Sequence, residues 1–325
     1  MHDLLRLTIE GACCIINIVS HCIGQYGQPR DAAMTLDGAR GAKTYGLEVH
    51  IMSIKLVLDS AADLTGMDGI AFAVAPLKVC TAEREFIDNN STTVSEMVDY
   101  LYSYKGRSST SCPNTADWLA AFGEAEEIVC ITITGGLSGS YNSACAAKEI
   151  YEDSHPGARV LVFDSLSAGP EIALKAERVA AMIRDGESMD SIQAMLDGYS
   201  TEIVFVLESL KNFANNGRVS KAVAAAAGIF GIRALGRASE EGTLEVLDKV
   251  RGEAKALRAV VDNMIRYGYK GGKVRIDHCL ADAVAEKLQA LIRESYPNAD
   301  ILVRPTRVLC SYYAEKGGYL VGFEC

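Results

Sequence analysis

"IVCITITGGLSGSYNSA", residues 128–144, joins an apolar run to a stretch with helical spacing. The first seven residues are rich in β-branched side chains and read as apolar on both faces, as a strand buried in a parallel sheet should be. Two glycines and a cluster of hydroxyl side chains make a turn, and a helix is expected from Tyr141 to Tyr151. The same unit recurs on both sides. Upstream, "IKLVLDS" (54–60) and "GIAFAVAPLKV" (69–79) read as strands, and 93–104 and 115–122 as helices. Downstream, "ARVLVFDS" (158–165) is another buried strand. A long helix follows over 169–186, with Pro170 in its first turn and Gly186 after its end. Alternating strands and helices imply a parallel sheet covered on both faces.

The grammar changes after about residue 200. "TEIVFVLE" (201–208) is a strand, 209–231 reads as helix, turn, helix, and 232–250 as a hairpin around Glu241-Gly242. An amphipathic helix (252–268), the strand "KVRIDHC" (273–279), a helix over 281–295, "ADILVRP" (299–305) and two terminal strands around "EKGG" complete an α+β unit. The expected fold is therefore α/β, with a parallel-sheet lobe over 52–208 and a smaller α+β lobe over 209–325. Residues 1–51 have a different composition, and Met52 precedes the first clean strand; the functional protein is expected to begin there.

Of the 325 residues 49% are hydrophobic, enough for an ample core, and the formal charge of −10 opposes general nucleic-acid binding. No run approaches the roughly 18 apolar residues of a membrane span, and a cytoplasmic location is expected. The ten cysteines are scattered with no C-x-x-C, so they read as reduced small hydrophobes and no metal is expected.

The 133–144 loop fails the usual catalytic patterns. G-x-S-x-G lacks its last glycine, because Ser140 follows Gly139. No Walker lysine follows, and no G-x-G-x-x-G precedes the helix. His155 and His278, the histidines beyond residue 51, suit structural roles better than a triad. One reading of the loop is a turn whose serines cap a helix. The other is an anion site, where backbone N–H groups at a helix start and the Ser138 and Ser140 hydroxyls meet one carboxylate or phosphate. A second hydroxyl cluster, "SSTSCPN" (108–114), also leads into a helix. It could meet the first at the carboxyl edge of the sheet, where ligands of open α/β sheets bind.

These pieces, in order, resemble the DegV family: "LVLDSAADL" (56–64), "APLKV" (75–79), "TSCPN" (110–114), "GGLSGSYNSA" (135–144), "VFDSLSAGPE" (162–171), "LKNFANNGRVS" (210–220) and "KVRGEAKAL" (249–257). Each is weak alone, and together they cover the chain from about residue 53 to its end. The resemblance implies a carrier protein without catalytic machinery or cofactor, holding a long-chain fatty acid between two lobes. It presents the carboxylate to the ATP-binding subunit of a separate fatty acid kinase, which makes an acyl phosphate, with transient membrane contact in that cycle. Carried over residue by residue, Thr110, Ser111 and Ser138 become carboxylate ligands. Arg218 becomes the arginine of kinase engagement, although no sequence feature places it on the acyl tunnel. This chain departs from the family at Asn114 and Asn216, and in having no histidine near its C-terminus; Tyr312 is expected to donate in its place. Two other readings use the same loop: an autonomous phosphotransferase or acyl hydrolase, and a lipid sensor without a kinase.

Overall fold

The computed structural model describes residues 54–220 and 232–325. The 1–51 extension, the start at Met52 and the second helix of the 209–231 segment lie outside these residues. Strands β1 (Lys55–Asp59), β2 (Phe72–Ala75), β6 (Glu127–Thr132) and β7 (Arg159–Asp164) form a parallel sheet in the order β2-β1-β6-β7. Period two sorts the side chains of these strands. Leu56, Leu58, Val129 and Ile131 pack on one face against α4 (Pro170–Arg184). Val57, Ile128 and Cys130 pack on the other against Trp118 and Phe122 of α2 (Thr115–Phe122) and Tyr151 of α3 (Ser140–Ser154).

The second sheet has six strands: β8 (Thr201–Leu207), β9 (Ile232–Ala238), β10 (Leu244–Arg251), β11 (Lys273–His278), β12 (Asp300–Pro305) and β13 (Tyr319–Glu324), in the order β10-β9-β8-β13-β11-β12. Its outer face is covered by α7 (Glu253–Arg266) and α8 (Asp282–Ser295). β8, expected to close the first lobe, instead opens the second sheet. Val204 and Val206 pack under α7, and Ile203, Phe205 and Leu207 point to the opposite side.

Helix α4 lies between the two sheets. It packs on β1 and β6 and also on β8, β11 and β13, so it is buried nearly all round. Gly322 of β13 meets its first turn; a Cβ there would lie 2.6 Å from the Pro170 carbonyl carbon. The pair Glu171–Lys175 is buried inside this layer at 2.6 Å, and the Thr201 hydroxyl donates to the same carboxylate at 2.8 Å. The one-turn spacing and the third partner satisfy charges that would otherwise be costly to bury.

Two expected strands are corrected. "GIAFAVAPLKV" is not continuous: Pro76 has no N–H for a ladder, and the chain changes sheet there. β3 (Lys78–Cys80) joins β4 (Glu85–Ile87) and β5 (Ser109–Ser111) in an antiparallel sheet ordered β4-β3-β5, beside α1 (Val94–Ser103). The first terminal strand is instead helix α9 (Val308–Ala314). Asp88, fully buried, accepts from the Val308 and Leu309 N–H groups at 3.1 Å each, so a partner more than two hundred residues away caps this helix. One helix not expected from the sequence, α5 (Met189–Gly198), and the short α6 (Lys211–Asn215), which is the first helix expected within 209–231, complete the α-helices among the described residues.

Candidate functional site

Beyond the carboxyl end of the parallel sheet, the inner face of the six-stranded sheet leaves a cavity of about 370 Å³, within the roughly 300–1,000 Å³ of small-molecule sites. Ile133 and Leu137 line it from the parallel-sheet side, and Phe205, Leu207, Leu244 and Leu320 from the other. At one part of the wall the lining turns polar. Thr110 and Ser111 come from β5, Ser138 from the loop into α3, and Arg218 from the turn after α6. The two hydroxyl clusters expected to converge therefore do so.

Each side chain in this group has a definite setting. The Thr110 hydroxyl shares a 2.9 Å hydrogen bond with the Tyr313 hydroxyl. Ser138 Oγ accepts only a long bond, 3.3 Å, from the Ser140 N–H. The cap residue of α3 is Gly139, with no side-chain cap bond, which leaves the Ser138 hydroxyl free to donate to a ligand. Asn114, in contrast, is a structural cap: it forms a capping box with Asp117 at the start of α2. Arg218 donates from Nε to the Leu137 carbonyl at 3.0 Å and from a terminal nitrogen to the Asn216 carbonyl at 2.8 Å. Among the described residues it is held by carbonyls rather than a carboxylate, so its charge faces the cavity uncompensated. Burial pushes the Tyr313 hydroxyl above its ordinary pKa, against the opposing pull of Thr110 and the Arg218 guanidinium, so it is a donor at neutral pH.

The expectation for Tyr312 does not survive the geometry. Its hydroxyl is engaged by Ser108 at 2.9 Å and by the Asn216 side chain at 3.0 Å, and it does not line the cavity. Tyr313 does. The physical reason is the helical period of α9, which sends Leu309, Cys310, Tyr313 and Ala314 toward the cavity and packs Val308 and Tyr312 against Phe86 and Met97. The signal was present in the sequence, since Leu309 and Tyr313 are four apart, but it is legible only once the segment is read as a helix. Arg218 is also better placed than expected, because it reaches the cavity wall. His155 stacks on the Tyr151 ring, with centroids 4.1 Å apart, and His278 is buried with Nδ1 accepting from the Ala281 N–H at 3.1 Å. Both are structural.

Asp59, at the end of β1, fixes the Ser138 loop. Its fully buried carboxylate accepts from the Ile133 N–H at 2.8 Å and the Ser140 hydroxyl at 2.6 Å, bracketing the loop at both ends, and from the Ala61 N–H at 3.2 Å. Burial raises its pKa from 3.8 to about 7, with those three donors opposing. Between these two values the folded state holds a proton that the unfolded state has released. The stability contributed by this group is full below about pH 4 and drains away as pH rises to about 7. Asp59→Asn should flatten that part of the profile, measured as thermal midpoint against pH; parallel curves for the two proteins would refute the assignment.

The turn of the β9–β10 hairpin closes the cavity from the other lobe. Gly242 has φ +70, and a Cβ on it would lie 2.1 Å from the Thr134 hydroxyl, so only glycine admits this approach.

A fold of two sheets sharing one helix, with an apolar cavity whose wall turns polar at hydroxyls and Arg218, suits an amphipathic ligand with an acidic end. The family model for DegV proteins matches residues 53–323. A DegV domain-containing protein of Streptococcus pneumoniae is 39% identical over 279 residues, which is 84% of this chain and 99% of that protein. The chain belongs to the DegV family. Among solved structures it is similar to a DegV family protein of Eubacterium eligens loaded with heptadecanoic acid, at 42% identity and TM-score 0.82, covering 83% of this chain and 99% of that one. It is equally similar in fold to the Fatty Acid Kinase (Fak) B3 protein of Streptococcus pneumoniae loaded with linoleic acid. There the identity is 38%, the TM-score 0.82, and the coverage 84% of this chain and 99% of that one. No helix among the described residues is long and apolar enough to cross a membrane.

Proposed function

We propose that this protein binds one long-chain fatty acid in the cavity between its sheets and presents the carboxylate to the ATP-binding subunit of a fatty acid kinase. Thr110, Ser111, Ser138, Tyr313 and Arg218 hold the head group, and the kinase forms the acyl phosphate. The observation that carries this reading is the join of an apolar cavity to uncharged donors and a guanidinium with no carboxylate partner among the described residues. Burying about fifteen methylenes at ~0.8 kcal/mol each favours binding by on the order of 12 kcal/mol before ordering costs. A buried carboxylate would cancel several of these unless donors meet it, and the cluster supplies them. The kinship to proteins solved with heptadecanoic and linoleic acid supports the same ligand class.

The test is denaturing extraction of the purified protein followed by lipid analysis. About one acyl chain per protein is expected; an empty protein that also refuses added fatty acid would reject the reading. Ser138→Ala should lose one hydrogen bond to a charged group, about 1.5–3 kcal/mol, or roughly ten- to a hundred-fold in affinity. The thermal midpoint should not move, because Ser138 Oγ accepts only a long bond. Unchanged affinity would leave Ser138 as a turn residue.

A further inference from the structure

Ser167 stands in the loop between β7 and α4 and borders the cavity. It is 2% exposed, and its hydroxyl has no hydrogen-bond partner among the described residues. Its backbone, in contrast, is fully used. The Ser167 N–H donates to Ser165 Oγ at 3.1 Å; its carbonyl accepts from the Thr134 N–H at 2.9 Å and from the Ser165 hydroxyl at 3.0 Å. The preceding Leu166 is held at φ 53, in the left-handed region that leucine avoids, by its N–H bond to Asp164 at 3.0 Å. The loop is thus locked in a strained form that keeps a hydroxyl beside the cavity with no partner among the described residues. Buried hydroxyls are nearly always paired, and an exception that borders a cavity points to a partner within it.

The head group does not need this hydroxyl. Two carboxylate oxygens accept about four hydrogen bonds, and Thr110, Ser111, Ser138, Tyr313 and Arg218 already offer that many. Sheet order also sets Ser167 apart. Ser138 follows β6, Ser167 follows the adjacent edge strand β7, and the three-stranded sheet carrying Thr110 is tied to the opposite side, where Leu77 donates to Ser60 after β1 at 2.9 Å. The separation is short, however. Thr134 alone bridges the two loops, giving its N–H to Ser167 at 2.9 Å and accepting from the Ser138 N–H at 3.2 Å. A ligand whose head group is held by Ser138 therefore has Ser167 in the neighbourhood of its carboxyl end.

We infer that Ser167 is a specificity-determining residue that favours fatty acids bearing a hydroxyl or oxo oxygen near the carboxyl end over unsubstituted chains of the same length. This rests on the fatty-acid reading of the cavity. An unsubstituted chain leaves the hydroxyl buried and unpaired, whereas an oxygenated one pairs with it, and sites built to pair with a ligand hydroxyl discriminate strongly against its absence.

The experiment is displacement of a fluorescent fatty acid from the delipidated full chain by 3-hydroxyhexadecanoic acid and by hexadecanoic acid. The wild-type protein should bind the hydroxy acid about tenfold tighter or more, and Ser167→Ala should bring the two acids to within about twofold of each other. Ser167→Thr, which keeps the hydroxyl, should retain the preference. A wild-type ratio of one overturns the inference, as does a ratio that persists in Ser167→Ala. Failure of both acids to displace the probe rejects the fatty-acid reading itself, so the two failures are distinct.

Discussion

Arg218→Ala should lower acyl phosphate formation by about 10²-fold or more at saturating fatty acid with the cognate kinase and ATP, since one well-placed donor to developing charge in a dry site is typically worth that much. The guanidinium is fixed by the Leu137 and Asn216 carbonyls and has no carboxylate partner among the described residues. It is thereby oriented without being neutralised. Because it lines the cavity, its loss should also weaken fatty-acid retention, by about tenfold. The two effects separate when turnover is measured with the site filled. Turnover at the wild-type rate under that condition would remove Arg218 from the phosphoryl-transfer step. Arg218→Lys should restore charge but not activity, since a lysine cannot satisfy two carbonyls and a ligand in one plane.

The largest loss of stability is expected from Asp88→Ala. Asp88 is 1% exposed and joins three groups at once: the Arg307 side chain at 3.2 Å and the first two N–H groups of α9. Arg307 itself is largely covered and also donates through its backbone to Asp63 at 2.6 Å. Removing the carboxylate leaves a half-buried guanidinium and two orphan N–H groups, a defect of about 3–5 kcal/mol. Urea unfolding should show the midpoint falling accordingly. Since α9 carries Tyr313, fatty-acid affinity should fall with it. An unchanged midpoint would mean that water compensates fully for the lost pair.

The parallel-sheet lobe was legible because its strands are locally consistent. "IVCITIT" and "ARVLVFDS" are apolar on both faces, and both became strands of the parallel sheet, β6 inside it and β7 at its edge. Thr110, Ser111 and Ser138 were expected to meet and do, but Thr110 and Ser111 come from strand β5 of a separate antiparallel sheet rather than from a loop at the parallel sheet's carboxyl edge. What failed was decided from far away in sequence. Helix α9 has few helix formers and three β-branched or aromatic residues in seven, and its start depends on Asp88. Tyr312 was expected to stand in for an absent histidine, but the helical period turns Tyr313 to the cavity. Arg218 was placed in the correct segment but at too great a distance from the ligand, because no local pattern records that the turn after α6 folds back onto Leu137. Ser167 gave no sign at all within "VFDSLSAGPE", since an unpaired hydroxyl is visible only when all of its neighbours have been assigned.

Helix α4 is the shared wall of two rooms. Its side chains face one sheet through Ile172, Ala176 and Val179, and the other presses on it so closely that Gly322 has no space for a methyl group. The sheets therefore cannot swing apart like the halves of a clam, because that motion would strip apolar side chains and the Glu171–Lys175 pair from their cover together. A ligand of the proposed kind is therefore expected to enter and leave at the rim of the cavity, with the frame standing still. Heat should melt both sheets in a single cooperative step.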